Sequence, residues 1–160
     1  GFSALYHRVN WKPKVLGLMR RLDHSSIFMM IAGTFTPICL LVLPMATGKN
    51  LLIIIWVIAG LGILQSIIFT NMPRLLRASF YLGAGYLAIP YMSVMSSFMG
   101  YTNFALTVAG GTIYSVGAIS YGFKFPDISP KYFGFHEFFH LLVCIAAILH
   151  FIVIYSIVGS

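Results

Sequence analysis

Five long apolar runs constrain this chain more than any other feature of its sequence. Each contains about 20 residues without an acid, a Lys or an Arg, which is the length that an α-helix needs to cross a hydrocarbon core of about 30 Å. The runs do not alternate polar and apolar residues, so membrane-barrel strands are excluded and helices remain, because backbone groups in lipid must be satisfied internally. The runs occupy residues 26–46, 50–70, 78–99, 102–123 and 138–158.

The composition also excludes a water-soluble domain. Of the 160 residues 59% are hydrophobic and 8% are charged, whereas soluble domains carry roughly 25% charged residues. We therefore predict an all-α multi-pass membrane protein in which residues 1–160 form one helical bundle. The runs predict five complete helices, the last over 134–158. Residues 1–7 predict the final turns of a further helix, whose beginning we expect to precede this chain.

The Lys and Arg residues predict the orientation of the bundle. Nine of the ten lie in three connections, at 8–22, 71–77 and 124–133, and Lys49 alone lies in a connection on the opposite side. Because cytoplasmic connections are enriched in these residues, we expect the three connections in the cytoplasm and the C-terminus outside, in the plasma membrane. Bases placed beside membrane spans indicate anionic lipid headgroups as partners rather than nucleic acid.

Ionisable side chains converge at the cytoplasmic ends of three predicted helices. His7 ends the first, Asp23 and His24 open the next, and His136 and His140 open the last. Side chains spaced i and i+4 project from one helix face about 6 Å apart, and a neutral imidazole is a favoured zinc ligand. Since intramembrane ionisable residues are rare and usually functional, we predict a metal site at this depth. The alternative is a polar anchor at the membrane interface.

The stretch 136–140, His-Glu-Phe-Phe-His, also matches the His-Glu-x-x-His signature of zinc metalloproteases. The extended form of that signature has a third His ten residues after the first, where this chain has Ala146, and no acid follows Glu137. His150 lies roughly 15 Å along the helix from His140 and is predicted to be buried and hydrogen-bonded to a neighbouring helix. A metalloprotease is therefore disfavoured, and Glu137 is expected to face the headgroup layer.

One further polar stretch lies inside an apolar run. Residues 33–37, Gly-Thr-Phe-Thr-Pro, predict a kinked helix, because Pro removes a backbone donor and Thr hydroxyls can bind the freed carbonyl. We interpret the kink either as shaping an internal cavity or as simple helix packing through small residues.

Three stretches, in this order, resemble the hemolysin III family, the bacterial branch of the progestin and adipoQ receptor family that includes the adiponectin receptors. They are Ser-Ala-Leu-Tyr-His at 3–7, Arg-Arg-Leu-Asp-His at 20–24 with the residues that follow to Pro37, and Phe-Gly-Phe-His-Glu-Phe-Phe-His at 133–140. The resemblance extends from Ser3 to about Tyr155. It implies seven helices, of which the first and most of the second would be missing here.

The resemblance also implies roles for individual residues. The zinc of the family would be held here by His7, His136 and His140. Asp23 would bind the zinc-coordinated water, with Ser3 beside the site. Zn²⁺ is therefore the expected cofactor, and Asp23 and Ser3 are the expected catalytic residues.

Three functions are compatible with these features. The first is an intramembrane zinc hydrolase of a lipid amide or ester, which the resemblance to adiponectin receptors and ceramidase-like proteins supports. The second is a pore-forming cytolysin, as the family name implies, although the spans lack a polar stripe. The third is a receptor-like membrane-homeostasis protein with a structural zinc. Asp23 favours the first over the third, because a structural zinc has a closed shell of protein ligands.

The orientation can be tested by cysteine accessibility in intact cells. In an otherwise cysteine-free protein, we expect single Cys substitutions within 8–22, 71–77 and 124–133 to be protected from a membrane-impermeant thiol reagent, because these connections carry the cytoplasmic bases. Lys49→Cys is the control and should be labelled. Ready labelling of the three connections with protection of position 49 would reverse the orientation.

Overall fold

The computed structural model describes residues 2–129 and 133–159, and for Phe2 the backbone alone. Lys131, one of the bases that predict the orientation, lies outside the described residues. The all-α prediction is confirmed, since helices account for most of the described chain. The elements are α1 (Phe2–Arg8), α2 (Pro13–Leu41), α3 (Met45–Ile68), α4 (Arg74–Tyr86), a 3₁₀ turn (Ile89–Tyr91), α5 (Met92–Phe98), α6 (Tyr101–Phe123) and α7 (Phe135–Val158).

Four helices in the described part of the chain are long and apolar enough to cross a membrane, namely α2, α3, α6 and α7. The protein is therefore an integral membrane protein with a multi-pass helical fold. Helices α3, α6 and α7 begin and end close to the bounds that the apolar runs predict, because continuous apolar sequence and helix length coincide there.

Helix α2 begins well before the apolar run that predicted it. Pro13 occupies its first turn, where the missing N–H of proline has no helical partner to lose. At 1.5 Å per residue, the 29 residues of α2 measure roughly 44 Å, more than the hydrocarbon core of about 30 Å. The prediction that Asp23 and His24 open a helix is therefore wrong, since both lie inside α2, almost three turns from its start.

The run at 78–99 does not form the continuous helix that its length predicts. Helix α4 ends at Tyr86, a 3₁₀ turn follows, and α5 begins at Met92. Pro90 lies in the 3₁₀ turn and lacks the N–H that a continuing α-helix needs. Gly83 and Gly85, just before the break, lower helix propensity by about 1 kcal/mol each relative to Ala. The path from α4 to α5 is therefore a broken helix.

Pro37 lies inside α2 without ending it. The Thr34 hydroxyl donates to Met30 O at 2.8 Å and the Thr36 hydroxyl donates to Ala32 O at 2.7 Å, so neither hydroxyl serves the carbonyl four residues before the proline. Trp56 Nε1 of α3 donates to Thr36 Oγ1 at 3.1 Å. This polar stretch therefore ties α2 to α3.

Phe28 is the residue that joins three helices in the core. It is 1% exposed, and its ring lies so close to Gly62 of α3 that a Cβ there would come within 2.4 Å of it. On its other side the Tyr81 ring of α4 lies 5.0 Å away in an edge-to-face arrangement. Because Phe28 lies just over one turn from Asp23 and His24, this packing holds the part of α2 that carries them.

Gly62→Ala tests this packing. We expect it to lower the free energy of unfolding by about 1–3 kcal/mol, the usual cost of overpacking a filled core, because the buried Phe28 ring occupies the space that a Cβ needs. Gly60→Ala is the matched control on the same helix, where a Cβ meets open space. Thermal denaturation of the purified full-length protein in one detergent compares the two. Equal stability of both variants would contradict the close contact.

Candidate metal centre and cavity

Three histidines from the two ends of the chain form one cluster. His136 Nε2 lies 3.2 Å from His7 Nε2 and 3.1 Å from His140 Nε2. The ligand nitrogens of all three lie within 4.8 Å of one another. His7 is exposed, and the other two are partly buried. The structure thus brings together the three histidines that the sequence places at one depth.

Local structure explains how the three imidazoles meet. Helix α7 begins at Phe135, so His136 and His140 occupy its first two turns and project from one face at i and i+4. His7 lies in the last turn of α1, and α1 packs against α2, which in turn packs against α7. The cluster therefore depends on α2 as the element between the two ligand-bearing helices.

The distances in the cluster suit a metal ion better than hydrogen bonding. His136 Nε2 is close to two other ring nitrogens, yet a neutral imidazole nitrogen carries either one proton or one lone pair and makes one good hydrogen bond. Two nitrogens bound at about 2.0–2.1 Å to one tetrahedral ion lie roughly 3.3 Å apart, which matches both observed separations. The donor set therefore fits a metal ion, and its three protein ligands would leave a fourth position open.

Asp23 lies beside the cluster without joining it. Its side chain is 13% exposed, and it interacts electrostatically with His7, His136 and His140. The three-residue group that could hold a metal ion does not include it. Asp23 is therefore placed to act on a molecule bound at the cluster rather than as one of its ligands.

Ser3 and His24 are the immediate neighbours of the Asp23 carboxylate. The Ser3 side chain interacts with it, and His24 Nδ1 lies 3.4 Å from Asp23 Oδ2. The Ser26 hydroxyl donates to the Asp23 backbone carbonyl at 2.6 Å. The carboxylate is thus held between α1 and α2, and the structure brings together all five residues that the sequence selected for the site.

Glu137 does not face the cluster. It is exposed, and its Oε2 accepts a hydrogen bond from the Gly134 N–H at 3.0 Å. A carboxylate in the first turn of a helix is favoured by the helix dipole and by the free N–H groups there. Glu137 thus caps α7, which agrees with the exclusion of a metalloprotease.

His150 is a structural histidine, as its spacing predicts. It is 8% exposed, and its Nε2–H donates to Thr107 O of α6 at 3.1 Å. Gly110 provides the space for the ring, since a Cβ there would come within 2.5 Å of Nε2. The proton on Nε2 is committed to the carbonyl, so His150 ties α7 to α6.

A cavity of about 650 Å³ joins the cluster to the interior of the bundle. It lies between α2, α4, α6 and α7, has Asp23, His136 and His140 at one end and His150 in its wall, and is otherwise lined mostly by apolar side chains. His140 and His150 are roughly 15 Å apart along the axis of α7. The cavity is therefore long and mostly apolar, with the histidine cluster at one end.

The sequence did not predict that two further residues, Arg77 and Tyr121, belong to this region. Arg77 of α4, taken only as a topology marker, is 5% exposed and lines the cavity. Tyr121 of α6 also lines it, with its ring 5.7 Å from the His136 ring. The signal for Arg77 was a charge adjacent to the apolar run at 78–99. The sequence carries no comparable signal for Tyr121.

Comparison with known proteins identifies a family for this chain. A family model described as "Haemolysin-III related" matches residues 1–151. Hemolysin-3 of Bacillus cereus is 42% identical over 120 residues, which cover 74% of this chain and 53% of the relative. The Hemolysin-3 homolog of Bacillus subtilis (strain 168) is 37% identical over 122 residues, which cover 76% of this chain and 57% of the relative.

A more distant relative is the human Monocyte to macrophage differentiation factor, 26% identical over 158 residues, which cover 96% of this chain and 63% of the relative. No solved structure matches the chain. The chain spans little more than half the length of the two bacterial relatives. The matched family region includes the cluster residues His7, His136 and His140 and the neighbouring Asp23. The chain belongs to the haemolysin III-related family.

Proposed function

We propose that the protein is an intramembrane zinc-dependent hydrolase that cleaves an amide or ester bond of a membrane lipid, in the manner of a ceramidase. The observation that carries this proposal is the position of the histidine cluster at one end of a long apolar cavity inside the bundle. A volume of about 650 Å³ is typical of small-molecule sites. The apolar wall suits an acyl chain, and the polar end suits the bond to be cleaved.

His7, His136 and His140 would hold the zinc, since two of the three separations between their nitrogens match those of tetrahedral ligands and all three nitrogens lie within 4.8 Å of one another. Bound there, zinc supplies Lewis-acid polarisation of a carbonyl and lowers the pKa of water toward 7. No acid or thiol joins the three histidines among the described residues. This composition supports an open reactive site over a closed structural one.

Asp23 is the residue placed to accept a proton from water at the cluster. Its carboxylate lies beside the three imidazoles and lines the same cavity. Ser3, which interacts with that carboxylate, would restrain its orientation. General-base catalysis of this kind contributes typically 10²–10⁴-fold to a rate.

The two alternatives have weaker support. The name of the Bacillus cereus relative, Hemolysin-3, suggests a cytolytic activity for that protein. The cavity, however, is lined mostly by apolar side chains, whereas conducting pores need polar groups to replace the hydration shell of an ion. A receptor with a structural zinc would need a fourth protein ligand, which the group of three histidines does not provide.

Metal analysis tests the histidine cluster. We expect the full-length protein, purified without chelators, to hold one zinc per chain. His7→Ala, His136→Ala and His140→Ala should each weaken zinc binding by more than about 100-fold, above the scale of losing an outer partner of a ligand. His150→Asn is the control, since it lies on the same helix as two of the ligands but is committed to Thr107. Stoichiometric zinc in the triple alanine variant would disprove the site.

Asp23→Asn tests the proposed base. The variant keeps the size and hydrogen-bonding ability of the side chain but cannot accept the proton, so turnover of a responsive lipid amide should fall about 10²-fold or more. Zinc content and thermal stability should stay near those of the wild type. Asp127→Asn is the control, because Asp127 is exposed in the connection between α6 and α7.

The two ways in which Asp23→Asn could fail have different meanings. Unchanged turnover in a zinc-loaded variant would remove Asp23 from the mechanism. Loss of zinc together with activity would instead identify Asp23 as a ligand or as a residue that shapes the cluster.

A further inference from the structure

Arg77 is a buried cation whose contacts lead toward the site. It is 5% exposed, and its Nη2 donates to Thr70 O and Met72 O, each at 3.1 Å. Its Nη1 lies 2.5 Å from His24 Nε2. A buried guanidinium needs both hydrogen-bond acceptors and a compensating charge, and all three of these partners are neutral acceptors. The negative charge that compensates Arg77 must therefore lie beyond these three partners.

Asp23 is the acid that supplies it. The chain contains three acids, Asp23, Asp127 and Glu137, and the other two are exposed. His24 stands between the two charges, with Nε2 toward Arg77 and Nδ1 toward Asp23 Oδ2 at 3.4 Å. We call these residues the Arg77–His24–Asp23 triad.

The chemistry of arginine determines the protonation state of His24. A guanidinium N–H only donates, so His24 Nε2 must accept and cannot carry a proton. The ring proton is therefore on Nδ1, which faces Asp23 Oδ2. A second tautomer, or a doubly protonated ring, would place an N–H against an N–H of Arg77. The 3.4 Å separation from Asp23 is long for a hydrogen bond, as catalytic contacts often are before substrate binds.

We propose that Arg77 and His24 are positioning residues for Asp23. Arg77 selects the Nδ1–H tautomer of His24, and His24 then holds Oδ2 of Asp23, so that the carboxylate keeps one orientation beside the histidine cluster. This inference rests on the proposed function for its catalytic consequence, but the tautomer and the contacts do not. A carboxylate held in one orientation needs no reorganisation when a proton is transferred to it.

Neighbouring side chains hold the backbone around the triad in place. Tyr81 of α4 directs its hydroxyl to the backbone carbonyl of His24 at 3.5 Å, and the Arg21 Nε–H donates to Thr70 Oγ1 at 3.2 Å. Arg77 therefore has a second role that is purely structural, since it caps the chain that follows α3 through the carbonyls of Thr70 and Met72. The test must separate that role from an effect on Asp23.

The first measurement is the tautomer of His24, by nitrogen NMR of the full-length protein labelled with ¹⁵N-histidine, with the His24 signals assigned by their loss in His24→Asn. We expect a protonated Nδ1 and an unprotonated Nε2 in the wild type and in the control Arg74→Met, since Arg74 is exposed on the first turn of α4. Arg77→Met should produce a mixture of tautomers. A protonated Nε2 on His24 in the wild type would overturn the proposal.

The second measurement is rescue by side-chain shape, read as turnover of a lipid amide in zinc-loaded protein. Asn places its amide nitrogen where His24 has Nδ1, and Gln places it where His24 has Nε2. His24→Asn should therefore stay within about threefold of the wild type, whereas His24→Gln and Arg77→Met should lose about 10–100-fold, the scale for residues that orient a reactive group. In a His24→Asn background, Arg77→Met should cause little further loss of turnover. The amide that then donates to Asp23 has no second tautomer for Arg77 to exclude.

The outcomes separate the triad from the proposed function. Two results would show that Arg77 has only its structural role. One is an equal loss of turnover in His24→Asn and His24→Gln, and the other is an undiminished effect of Arg77→Met in the His24→Asn background. If the wild type cleaves no lipid amide or ester, the hydrolase proposal fails, and the tautomer measurement still decides whether the triad exists.

Discussion

The bilayer's intolerance of unpaired polar groups governs this structure. Lipid offers no hydrogen-bond partners, so polar side chains inside the bundle must satisfy one another or line a cavity. In the described residues the ionisable ones inside the bundle gather around the start of α7, the end of α1 and the first half of α2, apart from His150, which bonds to Thr107 O. Just over one turn after His24, Phe28 packs against Tyr81 in the apolar core. The cluster, the cavity and the triad all follow from this separation of polar end and apolar interior.

The break between α4 and α5 matters to the cavity as much as the histidines do. A straight helix over 78–99 would carry its side chains in a regular stripe. The 3₁₀ turn at Pro90 interrupts that helix beside Ala88, Ile89 and Met92, all of which line the cavity. Proline is tolerated within membrane spans when neighbouring groups satisfy the freed carbonyls. The break thus belongs to the wall of the site.

The sequence predicts some parts of the site and not others, for physical reasons. His136 and His140 follow from helix periodicity, and their convergence with His7 follows from topology, because alternate helix ends return to one side of the membrane. The position of Asp23 inside α2 does not follow from the sequence, because hydropathy marks the apolar part of α2 and not the basic turns that precede it. The contact between Arg77 and His24 depends on how α4 packs against α2, which no local pattern encodes.

The position of Asp23 inside α2 bears on whether this acid stabilises the helix or acts on a bound molecule. At the start of a helix the dipole alone would stabilise a carboxylate by roughly 0.3–1 kcal/mol, but that effect falls off within the first turn, and Asp23 lies almost three turns inside α2.

Burial of an acid at this depth costs free energy unless other groups compensate. The compensation comes from Ser3, His24 and, through His24, Arg77. An acid that needs such a set of partners, in the wall of a cavity beside three histidines, is better explained by what it does to a bound molecule than by what it adds to the stability of the helix.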